Sequence, residues 1–341
     1  MQGDLPHTTR VLFLGGLTLS LEGLSRPSGP SGRHPSPSTA TMGPTLPPNR
    51  RLLYGTAWKK DETAVLVFKA IQSGFTALDT ACQPRHYRED LVGEGIRKAF
   101  AEGVLKHRSQ IWIQTKFTRP TGQDPETAPY DMNASVEEQV HTSIKTSLKN
   151  LRHYADLDAS SDEVYLDSLV LHSPFSDFKD TLTAWHTMST YVPHRIRAIG
   201  ISNIPHALLL DLYDAVDIKP SYVQVRFQPE TNWEIPTRRF CATRGIGFQA
   251  HRVLKKKEDM LDSELIREVS AAVGVSRHVA MYLCVLGLGE YMTILGGPKS
   301  EGHMKEDVEG LEQFEKWSVE GQNRTVWDRY MARFKAMIGE E

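Results

Sequence analysis

The chain has no cysteine framework, no surplus of charge of one sign, and no long apolar run. Its three cysteines, Cys82, Cys241 and Cys284, are odd in number and unpaired in spacing, which excludes a disulfide scaffold and a structural zinc site. Lys and Arg total 40 against 42 Asp and Glu, with a net charge of -2 and a pI near 6.7. Nothing in that balance attracts nucleic acid or an anionic membrane, so neither is an expected partner. The most apolar early stretch, Val11 to Leu21, falls short of the roughly 18 residues that cross a bilayer. Also missing are a nucleophile elbow, metal-ligand pairs and a glycine-rich phosphate loop, so hydrolysis and phosphoryl transfer have no apparatus and no metal is expected. A soluble protein of the reducing cytoplasm is the expectation.

Proline is distributed unevenly. Eight of the 19 prolines lie in the first fifty residues, interleaved with Ser and Gly. Such a segment buries too little apolar surface to offset chain entropy, so residues 1–50 are expected to be a disordered extension. An organelle-targeting leader is the alternative, given Arg10, Arg26 and Arg33; a natural start at Met42 is another.

From Arg51 onward short β-branched runs alternate with helical ones. Strands are expected at 52–55, 76–79, 111–116, 168–172, 196–202, 222–226, 245–250 and 292–296. Helices are expected at 62–73, 90–102, 135–152, 178–191, 205–216, 235–244, 262–273 and 276–287. Ser135 with Glu138 forms a capping box, and Gly74 stops the first helix. Eight βα units over about 290 residues (51–341) predict an α/β fold, a (β/α)8 TIM barrel. A doubly wound open sheet is the runner-up, weakened because no strand is followed by GxGxxG. Apolar residues at helical spacing over Arg324 to Phe334 predict a C-terminal helix near the mouth of the barrel.

Active sites of such barrels form at the C-terminal ends of the strands. Strand two ends at Asp79 and leads through Cys82-Gln-Pro-Arg-His-Tyr87; strand three ends at Lys116, strand four at His172, and strand five at Ser202-Asn203. Singly, each reads as a cap, a rim charge or a structural histidine. Together, on consecutive strand ends, they make a proton donor. A Lys beside a tyrosine hydroxyl is expected to lower its pKa, with the Asp holding the Lys and the His orienting a carbonyl oxygen. A proton donor with no protein nucleophile suggests that a hydride arrives on a cofactor.

At these residues the chain resembles the aldo-keto reductase family, and its fungal members in particular. The resemblance runs from Arg51 to about Leu311 through Gly55-Thr-Ala-Trp58, LDTA, VGEGI, QTKF, LVLHSPF, IGISN and PKS. It implies an NADP(H)-dependent carbonyl reductase with Asp79, Tyr87, Lys116 and His172 as a tetrad and Tyr87 as general acid. It further implies that Ser202, Asn203 and Gln224 hold the nicotinamide carboxamide, and that Lys299 and Ser300 contact the 2′-phosphate. A Lys beside a hydroxyl at a helix start is a sound anion site in its own right.

The sequence departs from that pattern in four places. His303 stands where an arginine is expected, and the Asp79 to Tyr87 gap is long. His251 and Arg252 occupy the place of an aromatic that stacks on the nicotinamide, with Arg252 able to reach the pyrophosphate. The loop Lys255 to Lys257 is shorter than the usual flap. Trp58, Phe117, Pro174 and Phe175 predict an apolar pocket for a small-molecule carbonyl substrate. A monomer is expected. The alternatives are an NADP(H)-binding regulatory subunit with little turnover, as in potassium-channel β-subunits, and a degenerate barrel without cofactor.

Overall fold

A computed structural model describes residues 51–340 except Lys256. The proline-rich segment 1–50, with its apolar stretch and Met42, lies outside the described residues. Eight strands, β1 (Leu52–Gly55), β2 (Ala77–Asp79), β3 (Trp112–Phe117), β4 (Leu166–Leu171), β5 (Ile196–Ser202), β6 (Tyr222–Arg226), β7 (Gly247–His251) and β8 (Met292–Gly296), close into a parallel barrel in sequence order. Closure by β8 against β1, in the register Leu53 to Leu295, rules out the open-sheet alternative.

Between the strands run α1 (Thr63–Gln72), α2 (Glu89–Ala101), α3 (Val136–Asn150), α4 (Phe178–Ser189), α5 (His206–Ala215) and α6 (Ile235–Arg244). Short α7 (Glu258–Leu261), then α8 (Glu264–Val273) and α9 (Arg277–Leu286), precede β8, which α10 (Glu301–Ser318) and α11 (Asn323–Met337) follow. The capping box forms at α3: the Glu138 amide donates to Ser135 Oγ at 3.3 Å, and the Ser135 amide donates to the Glu138 carboxylate at 3.2 Å. Gly74 ends α1 with φ +99, a backbone state that a side chain would strain.

Side chains alternate across each strand, so one set faces the helices and the other fills the barrel. Near the bottom of the interior, Leu53, Ala77, Trp112, Ala198 and Tyr222 pack together, with Trp112 and Tyr222 edge to face at 5.6 Å. Small neighbours make room for these rings. A Cβ at Gly200 would lie 2.6 Å from the Tyr222 carbonyl oxygen. One step up each strand, the interior turns polar at Asp79, Gln114, Gln224 and Gln249, all buried. The strand periodicity therefore carries Lys116, His172, Ser202 and His251 to the C-terminal ends of their strands, where loops meet the barrel.

Helix α11 buries Trp327, Met331 and Phe334 against the outer helices α8, α9 and α10, and its last residue, Met337, lines a cavity with Pro229, Trp233 and Lys257 from the loops that follow β6 and β7. Its apolar stripe found the apolar backs of those helices: the Cβ of an alanine at Gly287 would collide with Met331 and Trp327. Among the described residues no single helix is long and apolar enough to cross a membrane.

Candidate active site

The strand ends converge as the alternation requires. Lys116 Nζ donates to Asp79 Oδ2 at 2.5 Å and to the Thr80 carbonyl at 2.8 Å, with both charged groups almost wholly buried. Burial draws the Lys116 ammonium below the ordinary lysine range, against the opposing pull of Asp79. The ammonium stands 5.3 Å from the Tyr87 ring centroid, and the Tyr87 and His172 rings meet edge to face at 6.0 Å. Asp79, Tyr87 and His172 line one cavity of about 330 Å³ with Trp58, Ser202, Asn203, Gln224, His251 and Arg252.

The long segment from Asp79 to Tyr87 folds as a pinned turn. The amides of His86 and Tyr87 both donate to the Gln83 carbonyl, at 3.1 and 3.0 Å, and the Gln83 side chain donates to the Gly122 carbonyl at 2.5 Å. Beyond the turn, buried Glu89 accepts from Thr115, from Ser147 Oγ at 2.9 Å and from Asn150 Nδ2 at 3.2 Å, fixing the start of α2. Trp58 covers the turn from outside, its ring tilted against His86 with centroids 3.8 Å apart.

One electrostatic expectation is reversed. The Tyr87 hydroxyl is pushed up rather than down, by burial first and by the Asp79 charge second. Asp79 spends the Lys116 cation locally, so the phenol feels the desolvation more than the charge. The His172 imidazole is lowered to about 3 by burial and by the nearby Lys116 cation, which keeps it neutral. Its Nδ1 lies 2.7 Å from Thr118 Oγ1, so with that hydroxyl donating, Nε2 carries the ring proton.

Of the expected carboxamide-binding groups, Ser202 Oγ donates to the Gln224 carbonyl at 2.7 Å, and Asn203 Nδ2 donates to the His172 carbonyl at 2.9 Å. Asn203 thereby straps β4 to β5 and keeps only its Oδ1 free to face a ligand. The site cavity shares Arg252, Lys255, Leu295, Gly296 and Gly297 with a second cavity of about 560 Å³ that His278 and His303 also line. The two form one channel from the tetrad to the start of α10. A Cβ at Gly297 would lie 2.9 Å from the Gly55 carbonyl oxygen, so only glycine lets the backbone form this wall. Ser300 caps α10, accepting from the His303 amide at 3.2 Å. Lys299 turns aside to Glu62 at 3.6 Å, outside the channel lining. His251 and Arg252 do reach the channel.

The channel fits a dinucleotide by its chemistry: two cationic side chains, Arg252 and Lys255, where the cavities meet, His278, His303 and Asp307 by the start of an 18-residue helix at one end, and amide and hydroxyl groups at the other. Lys59, which no sequence pattern marks, braces the wall by donating to the Gly297 carbonyl at 3.0 Å; burial, with Lys299 nearby, lowers it to about 8. A lysine directly after Trp58 gives no periodic signal, because its burial depends on a loop from the far end of the chain.

The apolar pocket is also revised. Phe117 is fully buried and packs on Tyr130 and Phe175, with ring centroids at 5.7 and 6.3 Å, so both phenylalanines serve the core. Strand alternation explains this, since Phe117 follows inward-facing Lys116 and so faces the helices. Pro174 sits half-buried in the turn after β4, and neither it nor Phe175 lines the cavities at the strand ends. Only Trp58 of the four does so. Across His172 and Asn203 lies a third cavity, of about 520 Å³, whose wall includes Gln83, Thr118, Ser173, Arg226, Gln228 and Glu234. Ile204, Pro205 and Val225 share that wall with the polar groups, and Gln83 Oε1 is buried there without a hydrogen-bond partner. Among the described residues no group of three or more His, Cys, Asp or Glu is placed to hold a metal ion.

A closed barrel with an Asp-Lys-Tyr-His cluster at its C-terminal face defines a class of barrel oxidoreductases. The aldo/keto reductase family model matches residues 51–264, and the chain belongs to that family. It is 28% identical over 211 residues to the NAD(P)H-dependent D-xylose reductase of Scheffersomyces stipitis, over 57% of this chain and 61% of the relative. It is 31% identical over 204 residues to an uncharacterized oxidoreductase of Bacillus subtilis, over 59% of this chain and 61% of that protein. The chain thus spans less than two thirds of the length of either relative. Among solved structures, the aldose reductase of Giardia lamblia superposes with a TM-score of 0.63 at 21% identity, covering 86% of this chain and 93% of the other, a likeness of fold.

Proposed function

We propose that this chain is an NADP(H)-dependent oxidoreductase that reduces an aldehyde or ketone to an alcohol, with Tyr87 as the general acid. The carrying observation is the meeting of Asp79, Tyr87 and His172 in one cavity, above buried Lys116, at the end of a cation-lined channel. The relative whose name specifies NAD(P)H supports the same cofactor here. Gln224 and Ser202 would meet the carboxamide, Arg252, Lys255 and the start of α10 the phosphates, and Lys299 with Ser300 the 2′-phosphate that favours NADP(H) over NAD(H). When bound, the cofactor supplies the hydride.

The chain's own residues govern the oxygen. Neutral His172 directs an N–H at the carbonyl oxygen and polarises it without giving up a proton. Tyr87, with its raised pKa, is fully protonated at neutral pH and is still a stronger acid than the alcohol it forms, so it gives its proton as charge grows on that oxygen. Lys116, held by Asp79, then offsets the charge left on the phenolate.

The cavity beyond His172 supports a substrate that carries hydroxyl groups. Gln83 Oε1 is an acceptor that an apolar substrate would leave unpaired. Fluorescence titration with NADPH and NADH tests the reading. Saturable binding with a preference for NADPH is expected, and binding of neither nucleotide would overturn it.

A further inference from the structure

Asp79 of the tetrad and three buried glutamines form a closed set of hydrogen bonds whose direction a single charge dictates. Asp79 is 1% exposed, Gln114 and Gln249 0%, and Gln224 3%. Asp79 Oδ1 accepts from Gln114 Nε2 at 2.7 Å and from Gln224 Nε2 at 3.0 Å, while Oδ2 takes Lys116. A carboxylate has no proton to give, so both amides must turn their nitrogens toward it. Their second N–H groups then converge on Gln249 Oε1, at 2.7 and 2.8 Å, and Gln249 Nε2 donates back to Gln114 Oε1 at 3.0 Å. Flipping any one amide would set N–H against N–H or oxygen against oxygen in a site closed to water, which costs far more than the bond lost.

The consequence falls on Gln224. Its nitrogen is fully spent below, its Oε1 accepts no bond from the described residues, and its side chain lines the tetrad cavity. We propose that Gln114 and Gln249 are positioning residues. With the Asp79 carboxylate they lock the Gln224 amide with its oxygen toward the cavity, so the charge that anchors Lys116 also fixes the acceptor for a carboxamide N–H. Neither glutamine touches the cavity; each acts through Gln224. This rests on the proposed cofactor, and it makes the reactive end of that cofactor, not its phosphate end, sensitive to changes in the barrel interior.

The test is isothermal titration calorimetry of the full chain with two probes: NADPH, and adenosine 2′,5′-bisphosphate, which has the phosphates but no nicotinamide. The variants are Gln249→Met and Gln114→Met, which keep side-chain length and lie on different strands, so a folding failure in one leaves the other to decide. A rise in the NADPH Kd of about 10-fold for Gln249→Met, which removes a bond to Gln224 itself, and of about 3-fold for Gln114→Met, which does not, is expected, with the bisphosphate Kd changed less than about twofold. A merely structural role would weaken both probes together, and that result, or unchanged NADPH binding, would overturn the proposal. A wild-type chain that binds neither probe would instead overturn the proposed function, and this inference with it. A wild-type chain that binds both while the variants behave alike toward the two probes would overturn only the inference.

Discussion

The floor and the rim of this site are built differently. On the floor, Asp79, Lys116, Gln114, Gln224 and Gln249 come from strands, are buried, and satisfy one another through bonds of 2.5–3.0 Å. At the rim, Lys299, Ser300, His303, Arg252 and Lys255 come from loops and a helix start, and all five are exposed. A buried charge set is costly to disturb because each group left behind stays unsolvated, whereas a solvated cation is replaced by water. Under the proposed function the floor would carry chemistry and stability together, and the rim affinity alone.

Lys116→Met breaks that comparison most severely. It leaves Asp79 charged, buried and unpaired, which costs about 3–5 kcal/mol of stability, measurable by urea unfolding, with turnover lost by at least about 10³-fold through Tyr87. A Lys116→Met variant as stable as the wild type would show that the floor is not a coupled unit.

Next in size is the pH response. His172 and His251 are both held neutral, each lowered to about 3 by burial and then by the Lys116 charge. The unfolded chain binds their protons from about pH 6.5 downward, so stability is full above that pH and falls toward pH 3, by up to about 1 kcal/mol per pH unit for each ring. Replacing His172 with Gln should flatten the slope between about pH 6 and 4 in thermal unfolding, and an unchanged slope would place the titration elsewhere.

Gln83→Met sharpens the picture on the substrate side. The ratio of kcat/KM for glyceraldehyde to that for propanal should fall about 5–10-fold, as one hydrogen bond predicts. Displacement of the Tyr87 turn would lower both substrates alike and leave the ratio unmoved. The smallest effect belongs to the rim. Lys299→Ala should weaken NADPH about 3-fold and leave NADH unchanged, because the side chain is exposed and already shared with Glu62.

The same contrast decides what the sequence discloses. Strand ends are legible because inward residues recur every second position, so Asp79, Lys116 and His172 stand out at the tips of apolar runs. Gln114 carries the same signal, two residues before Lys116 on the same face, as does Gln249 two before His251. Their roles stay hidden because a neutral amide names no chemistry until its partners from other strands are known. Lys59 and Gln83 escape for a different reason: their neighbours come from loops whose paths no periodicity sets. The phenylalanines are misplaced by proximity in sequence, since Phe117 adjoins Lys116 but faces the opposite side of the sheet. The Tyr87 pKa runs against expectation because the pairing of Lys116 with Asp79 weakens the cation's pull while burial of the phenol keeps its full cost.

The proposed proton donor above this floor is Tyr87. NADPH oxidation should be followed by the loss of nicotinamide absorbance with a panel of aldehydes, for wild type and Tyr87→Phe, with NADPH affinity measured alongside. The expected result is turnover in the wild type that drops about 10²–10⁴-fold in Tyr87→Phe while NADPH binds within a fewfold of wild type. Equal turnover in the two proteins, or none in a wild type that binds NADPH, would contradict it.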